Sequence, residues 1–242
     1  LPYKCELNFE MGDLAQLFQK YGSDKDLNGY SQIYQTLFDP LIQEGKKVKL
    51  LEIGIGTMLP GVYSSMVGYS LPGYKPGGSL RAWRDFFQSG SIYGVDVQPD
   101  TQFKEDRITT SICDSTNKVA VDALMYKLLS SDDSSSDKDK KDDKSTDEDK
   151  NTEIPDSKKF DIIIDDGSHW YEHQYQTLKN FFPYVKEGGY YIIEDVTERS
   201  PISTDPTKLK QYCNDSIYFF VGVKNNICVI YKKKIDSRRA GY

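Results

Sequence analysis

Apolar residues recur in this chain with two different periods, and the alternation between them predicts the fold. Leu14, Leu17, Phe18 and Tyr21 fall at helix spacing within residues 11–40, and the run breaks at Tyr21-Gly22-Ser23-Asp24-Lys25. Ile33, Leu37 and Phe38 then form the apolar face of a second helical segment, which Pro40 is expected to end. Val48-Lys49-Leu50-Leu51-Glu52-Ile53 is a short apolar run that stops at Gly54-Ile55-Gly56, the pattern of a buried strand entering a glycine turn. Residues 57–78, rich in Gly, Pro, Tyr and Ser, read as a long loop. Ser79 is a plausible N-cap for a helix over residues 80–87 with Trp83 and Phe87 inward. Strands are predicted over residues 92–97 and 108–113, a helix over 118–129, a central strand over 160–165 and a helix over 171–184. Gly188-Gly189 is read as a turn into a further strand, 190–195, and residues 217–221 and 227–231 as a closing hairpin. Strands alternating with helices imply an α/β fold, a mostly parallel sheet of seven strands with an antiparallel C-terminal hairpin.

One segment departs from that pattern. Residues 130–159 hold eleven Asp/Glu and seven Lys/Arg, and so carry −4 of the chain's −6. Ile154 is their single large apolar residue, so burial cannot offset the entropy of ordering them. A disordered charged insert is expected, with an acidic tether for a basic partner as the alternative. The remaining body is close to neutral, which argues against a nucleic-acid polymer as partner. The 242 residues suit one domain, residues 1–242, in which 1–45 form a helical cover. Cys5, Cys113, Cys213 and Cys228 lie far apart without a CxxC pair, as expected of reduced thiols in a cytoplasmic protein. No apolar run approaches the ~20 residues that span a bilayer, and no secretory signal opens the chain. A start at Leu1 is compatible with a processed chain or a domain of a longer polypeptide.

In such sheets a ligand lies beyond the carboxyl ends of the strands, where this chain places its acids. The turn Glu52-Ile53-Gly54-Ile55-Gly56-Thr57 offers open backbone and an acid to a cofactor, Asp96 ends the next strand where a carboxylate meets a ribose diol, and Asp114 ends the third near an adenine edge. The third glycine of GxGxxG is missing, since Pro60 and Gly61 follow, which disfavours a dinucleotide. S-adenosylmethionine has no pyrophosphate to cradle and suits this turn better. On the other half, Asp165-Asp166-Gly167-Ser168-His169 and Glu194-Asp195 each follow an isoleucine-rich strand. Neighbouring strand ends would gather Asp166, Glu194 and Asp195, and carboxylates so packed repel unless a cation such as Mg²⁺ neutralises them. Separate solvent-exposed caps are the structural alternative. His169 and His173, the only two histidines, are spaced for zinc on a helix but lack HExxH. His169 is instead placed to accept a proton from a metal-bound hydroxyl.

Together these residues resemble the metal-dependent sugar O-methyltransferases of macrolide biosynthesis, the macrocin and mycinamicin type, within the Rossmann-like class I S-adenosylmethionine-dependent methyltransferases. The resemblance runs from about Tyr21 to Asp195, outside the 130–159 insert. It rests on Tyr21-Gly22-Ser23-Asp24-Lys25 with Tyr30 and Tyr34, Leu51-Glu52-Ile53-Gly54, Gly78-Ser79-Leu80 with Trp83, Gly94-Val95-Asp96, Asp165-Asp166-Gly167-Ser168-His169 and Glu194-Asp195. It implies a catalytic base at His169, Mg²⁺ on Asp166, Glu194 and Asp195, and a sugar hydroxyl as acceptor. The cofactor set is then Glu52, Gly54, Gly56, Ser79, Asp96 and Asp114. The pattern departs at Asn28-Gly29-Tyr30, where the family often has His-Gly-Tyr, and in the charged insert. Related domains occur inside larger glycan-building proteins, including some of large DNA viruses, which would place the chain in a host cytoplasm. Tyr63, Tyr69 and Tyr74 in the glycine-rich loop, with Tyr30 and Tyr34, are candidate faces for a sugar. The rival readings are a catechol-type methyltransferase, a non-catalytic nucleotide-binding module and an NAD-dependent oxidoreductase.

Overall fold

Strand residues buried on both faces build the centre of this protein. A computed structural model describes residues 13–64, 66–67, 74–130, 154–214, 216–222 and 226–234. Cys5, Tyr69 and most of the charged insert, residues 131–153, lie outside the described residues. The strands are β1 (Lys49–Ile53), β2 (Ser91–Asp96), β3 (Lys104–Glu105), β4 (Ile108–Ile112), β5 (Phe160–Asp165), β6 (Val185–Ile193), β7 (Ser216–Val221) and β8 (Ile227–Lys232). They form one sheet in the order β3-β4-β2-β1-β5-β6-β8-β7. The inner pairs are parallel, whereas β6–β8, β8–β7 and β3–β4 are antiparallel. The α/β architecture is the expected one, with one strand more than the seven expected. The extra strand, β3, is two polar residues long, too short to leave an alternating pattern.

Successive residues of the central strands serve opposite cores. Leu51, Ile53, Ile163, Tyr191 and Ile193 join one cluster with α4 (Lys118–Ser130) and α5 (Tyr171–Phe181). Leu50, Ile162, Ile164 and Ile192 join the other, with α1 (Leu14–Tyr21), α2 (Tyr30–Gln43) and α3 (Gly78–Phe86). Trp83 of α3 is the hub on this side, its ring centroid 4.9 Å from Phe18 and 5.0 Å from Tyr34. The N-terminal segment is therefore fastened over the sheet by a continuous aromatic core.

Three local expectations are corrected. Pro40 lies inside α2, which runs on to Gln43, because Leu37, Leu41 and Ile42 on either side of it pack against the same core. Gly77, not Ser79, caps α3, with φ of +86°, and Ser79 is buried inside the first turn. Gly188-Gly189 is not a turn before the strand. It lies within β6 where the register with β5 shifts, and a Cβ on Gly189 would stand 2.7 Å from the Asp161 carbonyl oxygen.

Candidate active site

Beyond the carboxyl ends of β1, β2, β4 and β5 lies a cavity of about 640 Å³. Lys25, Gly54, Gly56, Ser79, Asp96, Asp114, Asp166 and His169 line it, so most of the residues singled out from the sequence face one space. Glu194 and Asp195 are not among its lining residues, and neither is Glu52, which is fully buried beneath it. Its carboxylate accepts from Trp83 Nε1 at 2.9 Å and from the Ser79 hydroxyl. Both carboxylate oxygens of Asp96 are pinned to the turn, accepting from the Ile55 N–H at 2.8 Å and the Gln98 N–H at 2.9 Å. Asp114 accepts from the Thr116 N–H and hydroxyl. The glycines serve packing as much as ligand approach. A Cβ on Gly54 would meet the Asp166 carbonyl, and one on Gly56 would meet the Tyr74 hydroxyl at 2.4 Å.

The acidic half gathers around a residue that the chemical reasoning from sequence missed. Lys25, 1% exposed, places its Nζ 2.7 Å from Asp166 Oδ2, 2.7 Å from Glu194 Oε1 and 3.1 Å from Glu52 Oε1. Burial opposes its charge, but the fields of Asp166, Glu194 and Glu52 outweigh burial and hold its pKa well above the ordinary value. The first cation among these acids is thus a side chain of the protein. The one signal for it was its place in the Tyr-Gly-Ser-Asp-Lys run, which named no partner.

Neighbouring parallel strands bring the acids together, with Asp165 at the end of β5 opposite Ile193 at the end of β6. Glu194 is buried against Lys25 and accepts from the Tyr34 hydroxyl, while the Gln174 side chain donates to its backbone carbonyl at 2.9 Å. Burial and the charge of Asp166 raise its pKa. Asp195 accepts from the Tyr30 hydroxyl. His169 Nε2 sits 3.1 Å from Asp166 Oδ1 and 3.5 Å from Asp195 Oδ2. Ligating atoms of Asp166, His169 and Asp195 lie within 4.8 Å of one another. His169 and Asp195 have φ of +59° and +52°, left-handed conformations uncommon outside glycine, so tertiary structure holds both in place.

Two other expectations meet different geometry. Tyr30 and Tyr34 are buried on carboxylates and offer no face to a sugar. His169 precedes α5 while His173 lies on it, its Nδ1 2.8 Å from the Ser168 hydroxyl, so the two do not share a helical face for zinc. Tyr63 and Trp170, 95% and 67% exposed, line the cavity and leave aromatic surface open to a ligand.

No family model matches the chain. It is 32% identical over 186 residues to demethylmacrocin O-methyltransferase of Streptomyces fradiae, a match covering 76% of this chain and 36% of that protein. It is 29% identical over 186 residues to mycinamicin VI 2''-O-methyltransferase of Micromonospora griseorubida, covering 76% and 36%. Among solved structures, the MycE methyltransferase from the mycinamycin biosynthetic pathway, in complex with Mg and SAH, matches with a TM-score of 0.63 at 24% identity, over 94% of this chain and 56% of that one. The chain spans about a third of the length of these sequence relatives, at 36%. In sequence the chain is a homologue of sugar O-methyltransferases over the matched residues, and in fold it is similar to the Rossmann-like class I S-adenosylmethionine-dependent methyltransferases.

Proposed function

We propose that this chain transfers a methyl group from S-adenosylmethionine to a sugar hydroxyl with the help of a divalent cation such as Mg²⁺. The observation that carries the reading is one shared cavity, with the glycine turn, Asp96 and Asp114 along one part and Asp166 and His169 along another. Such a space can hold donor and acceptor together for an in-line displacement at carbon, away from water. The residues present fit a hard cation. Asp166 and Asp195 offer carboxylate oxygens beside His169, Glu194 lies behind them, and the single charge of Lys25 is shared among three buried or half-buried acids.

Asp166 and Asp195, with Glu194 at their back, would hold the ion. When bound, it would supply orientation and acidity to the acceptor hydroxyl. His169 Nε2 would take the hydroxyl proton, and bound S-adenosylmethionine would supply the methyl group to the acceptor oxygen, with its sulfur leaving as S-adenosylhomocysteine. Asp96 would receive the ribose diol and Asp114 the adenine amino group. Ser79 and Glu52 would support the turn around Gly54 and Gly56 from below. Two relatives are named as O-methyltransferases of rhamnosyl tetracenomycin-C, which supports a sugar acceptor and, more loosely, a part in glycan building.

We read the chain as one methyltransferase domain with residues 1–45 as its helical cover and 130–159 as a charged insert. No described helix is long and apolar enough to cross a membrane. Cytoplasmic residence accords with free Cys113, Cys213 and Cys228. Calorimetry with S-adenosylhomocysteine, with and without Mg²⁺, tests the reading on wild type and Asp166→Ala. The substitution should abolish the Mg²⁺-dependent heat and spare cofactor binding. A wild type that binds no S-adenosylhomocysteine would refute the donor assignment.

A further inference from the structure

The carboxylates facing His169 share an arrangement that their own strands do not explain. Asp166 commits Oδ2 to Lys25 Nζ at 2.7 Å and leaves Oδ1 toward His169 Nε2 at 3.1 Å. Asp195 commits Oδ1 to the Tyr30 hydroxyl and leaves Oδ2 3.5 Å from the same nitrogen. In each, one oxygen is tied back and the other is turned toward a common point. Both ties come from one short stretch of chain, and the Tyr30 N–H donates to the Lys25 carbonyl at 2.9 Å, closing that stretch into a turn. Lys25 and Tyr30 are each 1% exposed. The Tyr30 hydroxyl also accepts from Asn226 Nδ2, which directs its own hydrogen at Asp195.

Stability alone is a poor account of this construction. An ammonium and several carboxylates removed from water carry a desolvation cost that their attraction need not repay, and apolar residues of similar size often serve a fold as well. What the ties provide is direction. An unrestrained carboxylate turns about its last torsion and offers either oxygen or both, whereas a carboxylate held by one oxygen presents the other in a fixed orientation.

We propose that Lys25 and Tyr30 are positioning residues that turn one oxygen each of Asp166 and Asp195 toward the point beside His169 Nε2 and so set the site's affinity for a divalent cation. The assignment rests on the metal reading given above. It makes the N-terminal segment part of the metal site, though none of its residues need touch the ion. Outer partners of this kind typically affect metal affinity by about 10- to 100-fold.

Mn²⁺ serves as the probe, with binding read from the loss of the free-ion electron paramagnetic resonance signal in the whole chain. Tyr30→Phe removes one oxygen and keeps the ring, while Lys25→Met keeps the length of the side chain and removes its charge. Tyr30→Phe should weaken Mn²⁺ binding about tenfold or more, leaving affinity for S-adenosylhomocysteine unchanged and the protein folded, with a modest fall in melting temperature from the two lost hydrogen bonds. Lys25→Met should weaken it also, with Lys25→Arg recovering part of the loss. If Lys25 acted only as a competing positive charge, its removal would tighten Mn²⁺ binding, and that result overturns its positioning role. Unchanged Mn²⁺ affinity in Tyr30→Phe overturns the assignment even if Lys25→Met fails to fold. A wild type that takes up no Mn²⁺ removes the metal reading itself, and the positioning role with it.

Discussion

Gly54 is where fold and site are most tightly joined. It follows β1 with φ of +92°, and a Cβ there would stand 1.9 Å from the Asp166 carbonyl oxygen and 2.7 Å from its carbonyl carbon. Non-bonded carbon atoms settle about 3.5–4.0 Å apart, so Gly54→Ala must part the ends of β1 and β5 by roughly 1 Å or more. The Asp166 N–H donates to the Ile53 carbonyl across this junction at 2.9 Å, and that bond would be stretched or broken. Positive φ in a residue with a Cβ costs about 1–2 kcal/mol, overpacking about 1–3 kcal/mol and the hydrogen bond about 1 kcal/mol. The total loss of stability is about 3–6 kcal/mol. Gly45 supplies the control, since its φ is +65° and nothing lies within 4 Å of a Cβ built there. Gly45→Ala should cost only about 1–2 kcal/mol. Guanidinium denaturation of both variants isolates the clash. A difference under about 1 kcal/mol between them would refute the claim that close approach of β1 and β5 demands glycine.

The remaining predictions concern the site. In chelator-treated protein, burial lowers the pKa of His169, but its hydrogen bond to Asp166 and the charges of Asp166, Asp195 and Glu194 carry it from 6.5 up to about 9. A raised folded-state value means that this interaction stabilises the fold fully below 6.5 and is lost as pH rises through about 9. Stability should fall across that window, and the fall should vanish in His169→Gln. Saturating Mg²⁺ should move the NMR titration of this imidazole downward, and an unmoved titration would speak against a cation on Asp166 and Asp195. Trp170, exposed beside His169 at the cavity, should act on the acceptor alone. Trp170→Ala should raise the acceptor KM about tenfold while changing stability by no more than about 0.5 kcal/mol, and an equal KM in both proteins would rule out its contact with substrate.

The sheet could be read from the sequence because its strands are buried on both faces. Ile162, Ile163 and Ile164 form an uninterrupted run that no surface strand would carry, and the acids at its end point to the carboxyl side of the sheet, where the cavity lies. Elements governed by distant contacts escaped. Pro40 is a local helix breaker, yet Leu41 and Ile42 beyond it pack on the core and draw α2 onward. Gly188-Gly189 carries the composition of a turn, but its reason is the close passage of the Asp161 carbonyl, invisible along the chain. Ser79 has a capping side chain, yet burial turns its hydroxyl to Glu52, a residue 27 positions earlier in sequence.

The acids of the site were legible for the same reason as the strands, and their mutual repulsion rightly demanded a positive charge. Repulsion alone does not name the charge. Lys25 lies 141 residues from Asp166 and 169 from Glu194, so only the packing of the N-terminal segment over the sheet through Phe18, Tyr34 and Trp83 brings it in. Its single charge is shared among Glu52, Asp166 and Glu194, whereas Asp195 is met by a neutral tyrosine hydroxyl and by His169. The acids therefore outnumber the lysine. His169 supplies a second positive charge only while protonated, and a protonated imidazole cannot accept the proton of an acceptor hydroxyl. A neutral, reactive His169 thus requires that something else balance Asp166 and Asp195, and this is the physical reason to expect base catalysis and cation binding to rise and fall together in this chain.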